Sequence, residues 1–174
     1  MTITEFEAAF DQYKDAIYRF AWRMTNSATE SEDIVQEVFL SLLHRPNAFD
    51  PNRGPLRAYL LGAARNQILK RRRDEYRWDE LDEAHSVVEA TDFDAGEISE
   101  IVGAAVRSLP PLQREVLILA EYEELSLDEI ARAVESEIGT VKSRLHRARE
   151  NLRRLLAPLK PTSRLRSVSN GTIR

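Results

Sequence analysis

Apolar residues recur at steps of three and four along the most strongly patterned stretches of this 174-residue chain. That spacing lines them up on one face of an α-helix, whereas a half-buried strand would alternate apolar and polar residues. The clearest stripes are Phe6, Phe10, Tyr13, Ile17, Phe20 and Met24 near the start, and Val141, Leu145, Ala148, Leu152 and Leu155 near the end. Long strands are not apparent anywhere, so the predicted fold class is all-α.

Local signals predict where the helices begin and end. Three residue pairs have the spacing of a capping box: Thr4 with Glu7, Thr29 with Glu32 and Ser126 with Glu129. In a capping box, the side chain of a Thr or Ser and the side chain of a Glu each accept a hydrogen bond from the backbone N–H of the other residue. The first predicted helix starts at about Thr4, the next runs from Thr29 to His44, and another runs from Leu56 to Arg73. Later in the chain, one helix starts at the Pro110–Pro111 pair, a short one runs from Ser126 to about Val134, and a long one runs from Ile138 to Leu156. The helix from Thr29 to His44 has an apolar face of Ile34, Val35, Val38, Phe39, Leu42 and Leu43.

Charge divides the chain into two helical blocks. Residues 79–100 hold nine acidic residues and no Lys or Arg, while the other 20 of the 29 acidic residues are outnumbered by 25 Lys and Arg. We therefore predict two small helical domains joined by an acidic linker: a first domain at 1–77, the linker at 78–97, a second domain at 98–157 and a basic, disordered tail at 158–174. The net charge of −4 does not argue against nucleic acid, because phosphate contact depends on local potential.

Composition argues against several other classes of protein. The chain has no cysteine, which excludes disulfides and thiolate metal sites. No run approaches the ~20 apolar residues of a membrane span, and the acidic N-terminus is unlike a signal peptide, so we expect a cytoplasmic protein. The three histidines, His44, His85 and His146, are scattered, and no Gly-rich phosphate loop occurs. We expect no metal, no cofactor, no small-molecule substrate and no enzymatic activity.

The strongest functional signal is the segment 126–149, SLDEIARAVESEIGTVKSRLHRAR. A short capped helix, a tight turn and a longer basic helix are the parts of a helix-turn-helix. The outward face of the second helix offers residue types that contact phosphates and base edges: Lys142, Ser143, His146, Arg147 and Arg149. From the pattern alone, an ordinary helical hairpin with a solvated basic face remains an alternative.

Three segments together resemble a known family. GTVKSRLHRAR, preceded by LSLDEIA and SLPPLQREVLIL, resembles the fourth conserved region of sigma-70-family transcription factors. SEDIVQEVFLSLL and PLRAYLLGAARNQILKRRR resemble their second region. No segment resembles a third region, which points to the extracytoplasmic-function group. The resemblance implies a factor that binds core RNA polymerase and directs it to promoters by reading their −10 and −35 elements.

The resemblance also implies roles for residues of the first block. Asp33, Gln36 and Glu37 would dock on the clamp helices of the largest polymerase subunit. The loop 47–57 with Arg57, together with Asn66, would capture a flipped base of the −10 element. The basic run 70–73, which consists of Lys70, Arg71, Arg72 and Arg73, would follow DNA phosphates. From the residues alone, a plain solvated surface remains an alternative for each of these sets.

In the second block the resemblance implies reading of the −35 element. Lys142, Ser143, His146 and Arg147 would be the contacts, with Gly139 and Thr140 touching the DNA backbone near the helix N-terminus. The turn departs from the family pattern, because Glu135 and Ser136 stand where Gly and an apolar residue are usual. A positive φ at Glu135 would strain it by roughly 1 kcal/mol. Glu137 also stands where a capping Ser or Pro is frequent.

The expected partners follow from the same resemblance. They are promoter DNA, the clamp helices and flap of core polymerase, and an anti-sigma factor. Two alternatives stay open: a simple DNA-binding repressor or activator, which would leave the segment 56–73 unexplained, and a sigma-like protein that acts mainly through protein contacts.

Overall fold

The structure, a computed structural model, describes residues 2–73 and 95–157, and these residues form helices, turns and short loops without a strand. The helices are α1 (Ile3–Thr25), α2 (Ala28–His44), α3 (Leu56–Arg71), α4 (Ala95–Ser108), α5 (Pro111–Glu121), α6 (Leu127–Ala133) and α7 (Ile138–Leu156), with 3₁₀ turns at Pro46–Ala48 and Pro51–Arg53. The all-α prediction is confirmed. The predicted basic tail and residues 78–94 of the predicted linker lie outside the described residues.

Helices α1, α2 and α3 pack into the first domain. Their apolar stripes meet in a core whose largest members are fully buried: Ile17, Phe20, Ile34, Leu42, Leu60, Leu61 and Ile68. At the edge of this core the ring of Phe39 meets Phe6 and Phe10 edge to face, at centroid distances of 6.0 and 4.9 Å. The apolar stripes that repeat along the sequence therefore form the buried core of this domain.

Two predicted capping residues are wrong by two positions. Helix α1 is capped by Thr2, which forms a capping box with Glu5 instead of the predicted Thr4 with Glu7. The backbone N–H of Thr2 donates to Glu5, and this bond holds the pKa of the Glu5 carboxyl below its ordinary value. Helix α2 is capped by Ser27, whose hydroxyl accepts from the backbone of Glu30. Both segments offer overlapping Ser/Thr-x-x-Glu frames, and the earlier frame adds two residues to the helix.

Helices α4 to α7 form the second domain. Val116, Leu117, Ile118 and Leu119 of α5 are buried in its core. Helix α6, the four residues after it and α7 form the predicted helix-turn-helix, and the predicted capping box of Ser126 with Glu129 is confirmed. Apolar residues from both helices and the turn between them are buried: Ile130, Val134, Val141 and Leu145.

The two domains are docked on each other. Helices α1 and α3 pack against α4, α5 and α6. The guanidinium of Arg114 donates from Nη1 to the carbonyl of Met24 at 3.0 Å, near the end of α1. Gly62 of α3 lies so close to α6 that an added Cβ would be 3.1 Å from the carbonyl oxygen of Ala133. None of the described helices is long and apolar enough to cross a membrane.

Candidate nucleic-acid interface

Helix α7 separates an apolar face from a basic one. Val141, Leu145, Ala148 and Leu155 are buried against the rest of the second domain. The residues predicted from the sequence to contact DNA lie on the opposite face and are all exposed: Gly139, Thr140, Lys142, Ser143, His146, Arg147 and Arg149. The arrangement presents a row of donors on a rigid helix, which suits insertion into a DNA major groove.

Most of this basic face is free of partners within the described residues. Lys142, His146 and Arg147 make no hydrogen bond or ion pair there. Arg149 differs, because its Nε and Nη2 donate to Oε1 of Glu121 at 2.9 and 2.6 Å. Unpaired cations are free to meet phosphates or base edges, whereas Arg149 must first leave Glu121.

The N-terminus of α7 is open. Glu137 is its N-cap residue and makes no side-chain capping bond. A Cβ built on Gly139 would have no atom within 4 Å. The first backbone N–H groups of a helix lack intrahelical acceptors and favour a bound anion. Gly139 and Thr140 are therefore placed where a DNA phosphate can approach.

The turn of the helix-turn-helix keeps its shape without glycine. Glu135 has a φ of 51°, which is the left-handed conformation that glycine usually adopts at this position of the turn. The turn is closed by backbone bonds from Glu135 to the carbonyl of Arg132 at 3.3 Å and from Ser136 to the carbonyl of Ala131 at 3.0 Å. A non-glycine residue in this conformation costs about 1 kcal/mol, which these bonds offset.

In the first domain, the loop between α2 and α3 borders a cavity. Its two 3₁₀ turns are followed by Gly54, whose φ of 143° favours glycine. Phe49 packs on the ring of Tyr59 at a centroid distance of 5.5 Å. The loop, the middle of α3 and helix α6 of the second domain enclose a space of about 470 Å³, and Asn66 and Glu135 lie on its border.

Two residues predicted to read the −10 element contact the second domain. The Nη2 of Arg57 donates to Oε2 of Glu123 at 2.6 Å, and Glu123 is fully buried. The side-chain Nδ2 of Asn66 donates to Oε1 of Glu135 at 3.3 Å. Sequence reasoning missed both contacts, because the partners are 66 and 69 residues apart along the chain.

The basic run at the end of α3 is not a uniform free surface. Lys70 and Arg73 are exposed. Arg71 turns toward α2, where its Nη2 lies 2.9 Å from Glu37 and its Nη1 lies 3.9 Å from Asp33. Arg71, which was predicted to contact DNA at the −10 element, therefore pairs with Asp33 and Glu37, two of the residues predicted to contact polymerase.

Arg72 serves the fold of the first domain. Its Nη2 donates to Oε2 of Glu30 at 3.0 Å and to the carbonyl oxygen of Thr25 at 3.3 Å. These bonds tie the end of α3 to the junction of α1 and α2. In this arrangement the guanidinium is engaged by protein groups, which no local pattern in the sequence could predict.

The outer face of α2 combines polar and apolar residues. Asp33 and Gln36 are exposed and Glu37 is half-buried. Leu40 and Leu43 are 51% and 50% exposed, although the apolar pattern predicted Leu43 on the buried face. That assignment is wrong because successive helical residues point about 100° apart, which places Leu43 beyond the edge of the face that Ile34, Val38 and Leu42 bury.

Comparison with known proteins decides the family. The family models for sigma-70 region 2 and sigma-70 region 4 match residues 9–77 and 99–152. The ECF RNA polymerase sigma factor SigW of Bacillus subtilis is 33% identical over 164 residues, which cover 86% of this chain and 87% of SigW. This chain belongs to the extracytoplasmic-function (ECF) sigma factors of the sigma-70 family. It is a transcription initiation factor that directs RNA polymerase to promoters, and it is not an enzyme.

Other relatives of this ECF sigma factor agree. SigL of Mycobacterium tuberculosis is 31% identical over 157 residues, covering 87% of this chain and 89% of SigL. SigE of Mycolicibacterium smegmatis is 32% identical over 154 residues, which are 84% of this chain and 59% of that longer protein.

Two solved structures share the fold. One is the sigma factor RpoE in complex with the anti-sigma factor NepR from Bartonella quintana, with a TM-score of 0.68, 25% identity and coverage of 89% of this chain and 98% of RpoE. The other is CnrH in complex with the cytosolic domain of CnrY, with the same TM-score and identity and 90% coverage of both chains.

Proposed function

We propose that this ECF sigma factor works through three surfaces, each assigned to one partner. The exposed face of α7 reads the −35 element. The loop 47–57 and α3 read the −10 element. The outer face of α2 binds core polymerase. The observation that carries the proposal is the basic face of α7, where Lys142, His146 and Arg147 are exposed over a buried apolar stripe and have no partner among the described residues.

On the −35 surface, the residue types support different DNA contacts for different side chains. Arg147 and Lys142 suit bidentate or single contacts with guanine, and Ser143 and His146 suit contacts with bases or phosphates. Gly139 and Thr140 sit at the open N-terminus of α7, where phosphate is favoured. Arg149 joins them after it releases Glu121.

For the −10 surface, Asn66 and Arg57 are the base-reading candidates, because an amide both donates and accepts and a guanidinium donates in a fork. Lys70 and Arg73 are exposed and suit phosphate contact. Arg71 and Arg72 contribute there only if they leave the acidic residues they now contact. The order of importance we propose is therefore Asn66 and Arg57 first, Lys70 and Arg73 next.

For the polymerase surface, Asp33, Gln36 and Glu37 lie beside the exposed Leu40 and Leu43. Interfaces combine an apolar centre with a polar rim, and this strip has both. We add the two leucines to the residues assigned from the sequence. The clamp helices of the largest subunit are the proposed partner here, and the polymerase flap is the proposed partner of the second domain.

An anti-sigma factor is a further proposed partner. One structural neighbour, the sigma factor RpoE, was solved in complex with the anti-sigma factor NepR, and the other, CnrH, was solved in complex with the cytosolic domain of CnrY. Because the similarity to this chain extends through both domains, we propose that an anti-sigma factor of this chain contacts both. We also propose a cytoplasmic location, where polymerase and promoter DNA are found, and domain limits of 1–77 and 98–157 around an acidic linker.

Run-off transcription tests the function directly. Core polymerase with this protein is incubated with a genomic promoter library, and transcripts are sequenced to locate their starts. We expect starts that depend on this protein and share two sequence elements upstream. Core polymerase alone is the control. Binding to duplex DNA without any redirected transcription would instead identify a simple DNA-binding regulator.

A further inference from the structure

We infer that a groove between α1 and α4 is a binding site for a nucleotide, with arginines that hold its phosphates and aromatic rings on which its base stacks. The groove encloses about 390 Å³ and is lined by residues of α1 and α4 and by Tyr122, which directly follows α5. None of the lining residues belongs to the three surfaces proposed to contact DNA and polymerase. Nucleotide binding here is therefore independent of those assignments.

The groove carries positive charge only. Arg19 and Arg23 of α1 and Arg107 of α4 line it, and no Asp or Glu of the described residues does. The protein as a whole has a net charge of −4, so the local charge is opposite in sign to the total. A cleft lined by one sign of charge concentrates small ions of the other sign. The expected ligand is therefore an anion.

The three guanidinium groups have no acceptors of their own. None of them donates a hydrogen bond or forms an ion pair within residues 2–73 and 95–157. Arg23 and Arg107 are half-buried, as are Arg57 and Arg72, which each pair with a glutamate. An arginine presents a planar fork of N–H donors that fits the oxygens of a phosphate. The groove thus holds three such forks that the protein leaves open.

Arg23 is held in place by a ring. Its guanidinium carbon lies 4.1 Å from the centroid of the Tyr122 ring. This contact uses the face of the guanidinium and leaves the N–H donors at its edge. Tyr122 therefore fixes the cation at the groove without using any of its hydrogen bonds.

A glycine makes room for Arg107. A Cβ built on Gly103 would lie 3.2 Å from Nη1 of Arg107, so the arginine folds back over the preceding turn of α4. Long side chains on a helix point toward its N-terminus, which explains this direction. Glycine is otherwise unfavourable inside a helix. At residue 103, the missing side chain lets the guanidinium lie along the wall of the groove.

Aromatic rings form the second half of the site. Trp22 and Tyr122 line the groove and are each 38% exposed, and the half-buried Tyr18 lines it too. Because Arg23 covers one face of Tyr122, Trp22 is the principal surface on which a base can stack. Stacking of a base on an aromatic side chain contributes roughly ten-fold or more in affinity.

A nucleotide matches this combination better than an acidic peptide does. Its phosphates place several negative charges close together beside a planar base, and a cavity of about 390 Å³ has the size of a small-molecule site. In a peptide each carboxylate carries a single charge, and neighbouring side chains of an extended chain point to opposite sides. We therefore expect nucleoside diphosphates and triphosphates to bind.

The fluorescence of Trp22 tests binding at the groove itself. The chain has two tryptophans, Trp22 and Trp78, so Trp78→Phe leaves Trp22 as the reporter. This full-length variant is titrated with ATP, and we expect saturable quenching with a dissociation constant below about 1 mM, because the base stacks on the indole. Calorimetry of the wild type with ATP should give the same constant, and it keeps the test valid should Trp78→Phe misfold.

Fragments of ATP separate the two halves of the site. Inorganic triphosphate should bind more weakly than ATP and should not quench Trp22, because it has no base. Adenosine should bind more weakly still, because it has no phosphate for the arginines. Hexaglutamate, an acidic peptide, should not compete with ATP.

Variants that each remove one positive charge locate the site. Arg19→Ala and Arg107→Ala should each weaken ATP binding about ten-fold, because each removes charge-assisted hydrogen bonds to phosphate. Arg153→Ala removes an exposed arginine of α7 outside the groove and should bind ATP as the wild type does. Trp22→Leu, measured by calorimetry, should weaken ATP about ten-fold and leave the affinity for triphosphate unchanged.

The outcomes are distinct. Saturable quenching by ATP that is weakened by both groove arginine variants and not by Arg153→Ala supports the inference. Absence of saturable ATP binding to the wild type overturns it, and so does an equal loss in all three arginine variants, which would reflect general attraction of anions. Hexaglutamate that displaces ATP at similar concentration overturns the nucleotide assignment in favour of an acidic peptide. Promoter recognition is tested separately by run-off transcription.

Discussion

Arg65 donates two hydrogen bonds to Glu115, from Nε to Oε2 at 3.0 Å and from Nη2 to Oε1 at 3.3 Å. The two side chains come from different domains and are 10% and 0% exposed. This paired geometry is the strongest form of an arginine–carboxylate contact, and here it lies at the centre of the domain interface. The pair therefore reports on how firmly the domains are docked.

A double-mutant cycle measures this pair. Arg65→Met and Glu115→Leu are made singly and together, and the free energy of unfolding is measured in urea. Each single change removes one half of a buried ion pair and should destabilise the protein, while the double variant should recover much of the loss. We expect a coupling free energy of about 1–3 kcal/mol. Additive single effects would show that the pair does not form in solution.

The cap of the helix-turn-helix gives a second stability prediction. Ser126 accepts from the backbone of Glu129, and Glu129 accepts from the backbone of Ser126 at 2.7 Å. Ser126→Ala removes half of this exchange and should lower the free energy of unfolding by about 1 kcal/mol. Ser143→Ala, an exposed serine inside α7, is the control and should change stability by less than about 0.5 kcal/mol. Equal effects of the two changes would contradict the capping role.

The sequence predicted local structure well and long-range contacts poorly. Apolar periodicity predicted that α2 ends at His44 and that α7 runs from Ile138 to Leu156, as the structure has them. It could do so because the buried face of a helix appears in the sequence as apolar residues three and four positions apart. The capping residues of α1 and α2 were predicted two positions too late, because overlapping Ser/Thr-x-x-Glu frames compete there. The local sequence pattern does not show which of two possible capping residues begins the helix.

In the candidate site, too, local features were predictable from the sequence and long-range contacts were not. The exposed face of α7 was predicted residue by residue, since burial of Val141 and Leu145 fixes which side chains point outward. The engagement of Asn66 by Glu135 was not predicted, because a contact between two polar residues 69 positions apart leaves no periodic signal. Only a fold that brings α3 onto α6 reveals it.

The polymerase surface is tested by changing its polar residues. Asp33→Ala with Gln36→Ala should lower affinity for core polymerase about ten-fold, because both exposed groups would lose their contacts with the partner. The matched control is Gln12→Ala with Asp15→Ala, an exposed amide and acid at the same spacing on α1. Affinity is measured by fluorescence anisotropy of labelled protein. Equal loss in both double variants would remove α2 as the specific surface.

The exposed leucine pair on that surface gives a separate prediction. Leu43→Ala should change the free energy of unfolding by less than about 0.5 kcal/mol, since half of the side chain is already in water. It should nevertheless weaken core binding about five-fold if the leucine is buried by polymerase. Leu42→Ala serves as the comparison, because Leu42 is fully buried and should lose about 2–5 kcal/mol of stability. An unchanged core affinity for Leu43→Ala would place the interface elsewhere.

Arg147 provides the sharpest test of the −35 surface. Its side chain is exposed and has no partner among the described residues, so Arg147→Ala should leave stability and core binding unchanged. Loss of a base or phosphate contact worth about 1–3 kcal/mol should reduce −35-dependent transcription about ten-fold. Arg153→Ala, which removes an exposed arginine that pairs with Glu150 on the same helix, is the matched control. On a promoter whose −35 element is scrambled, wild type and Arg147→Ala should be equally weak, and a difference persisting there would show that Arg147 acts outside the −35 contact.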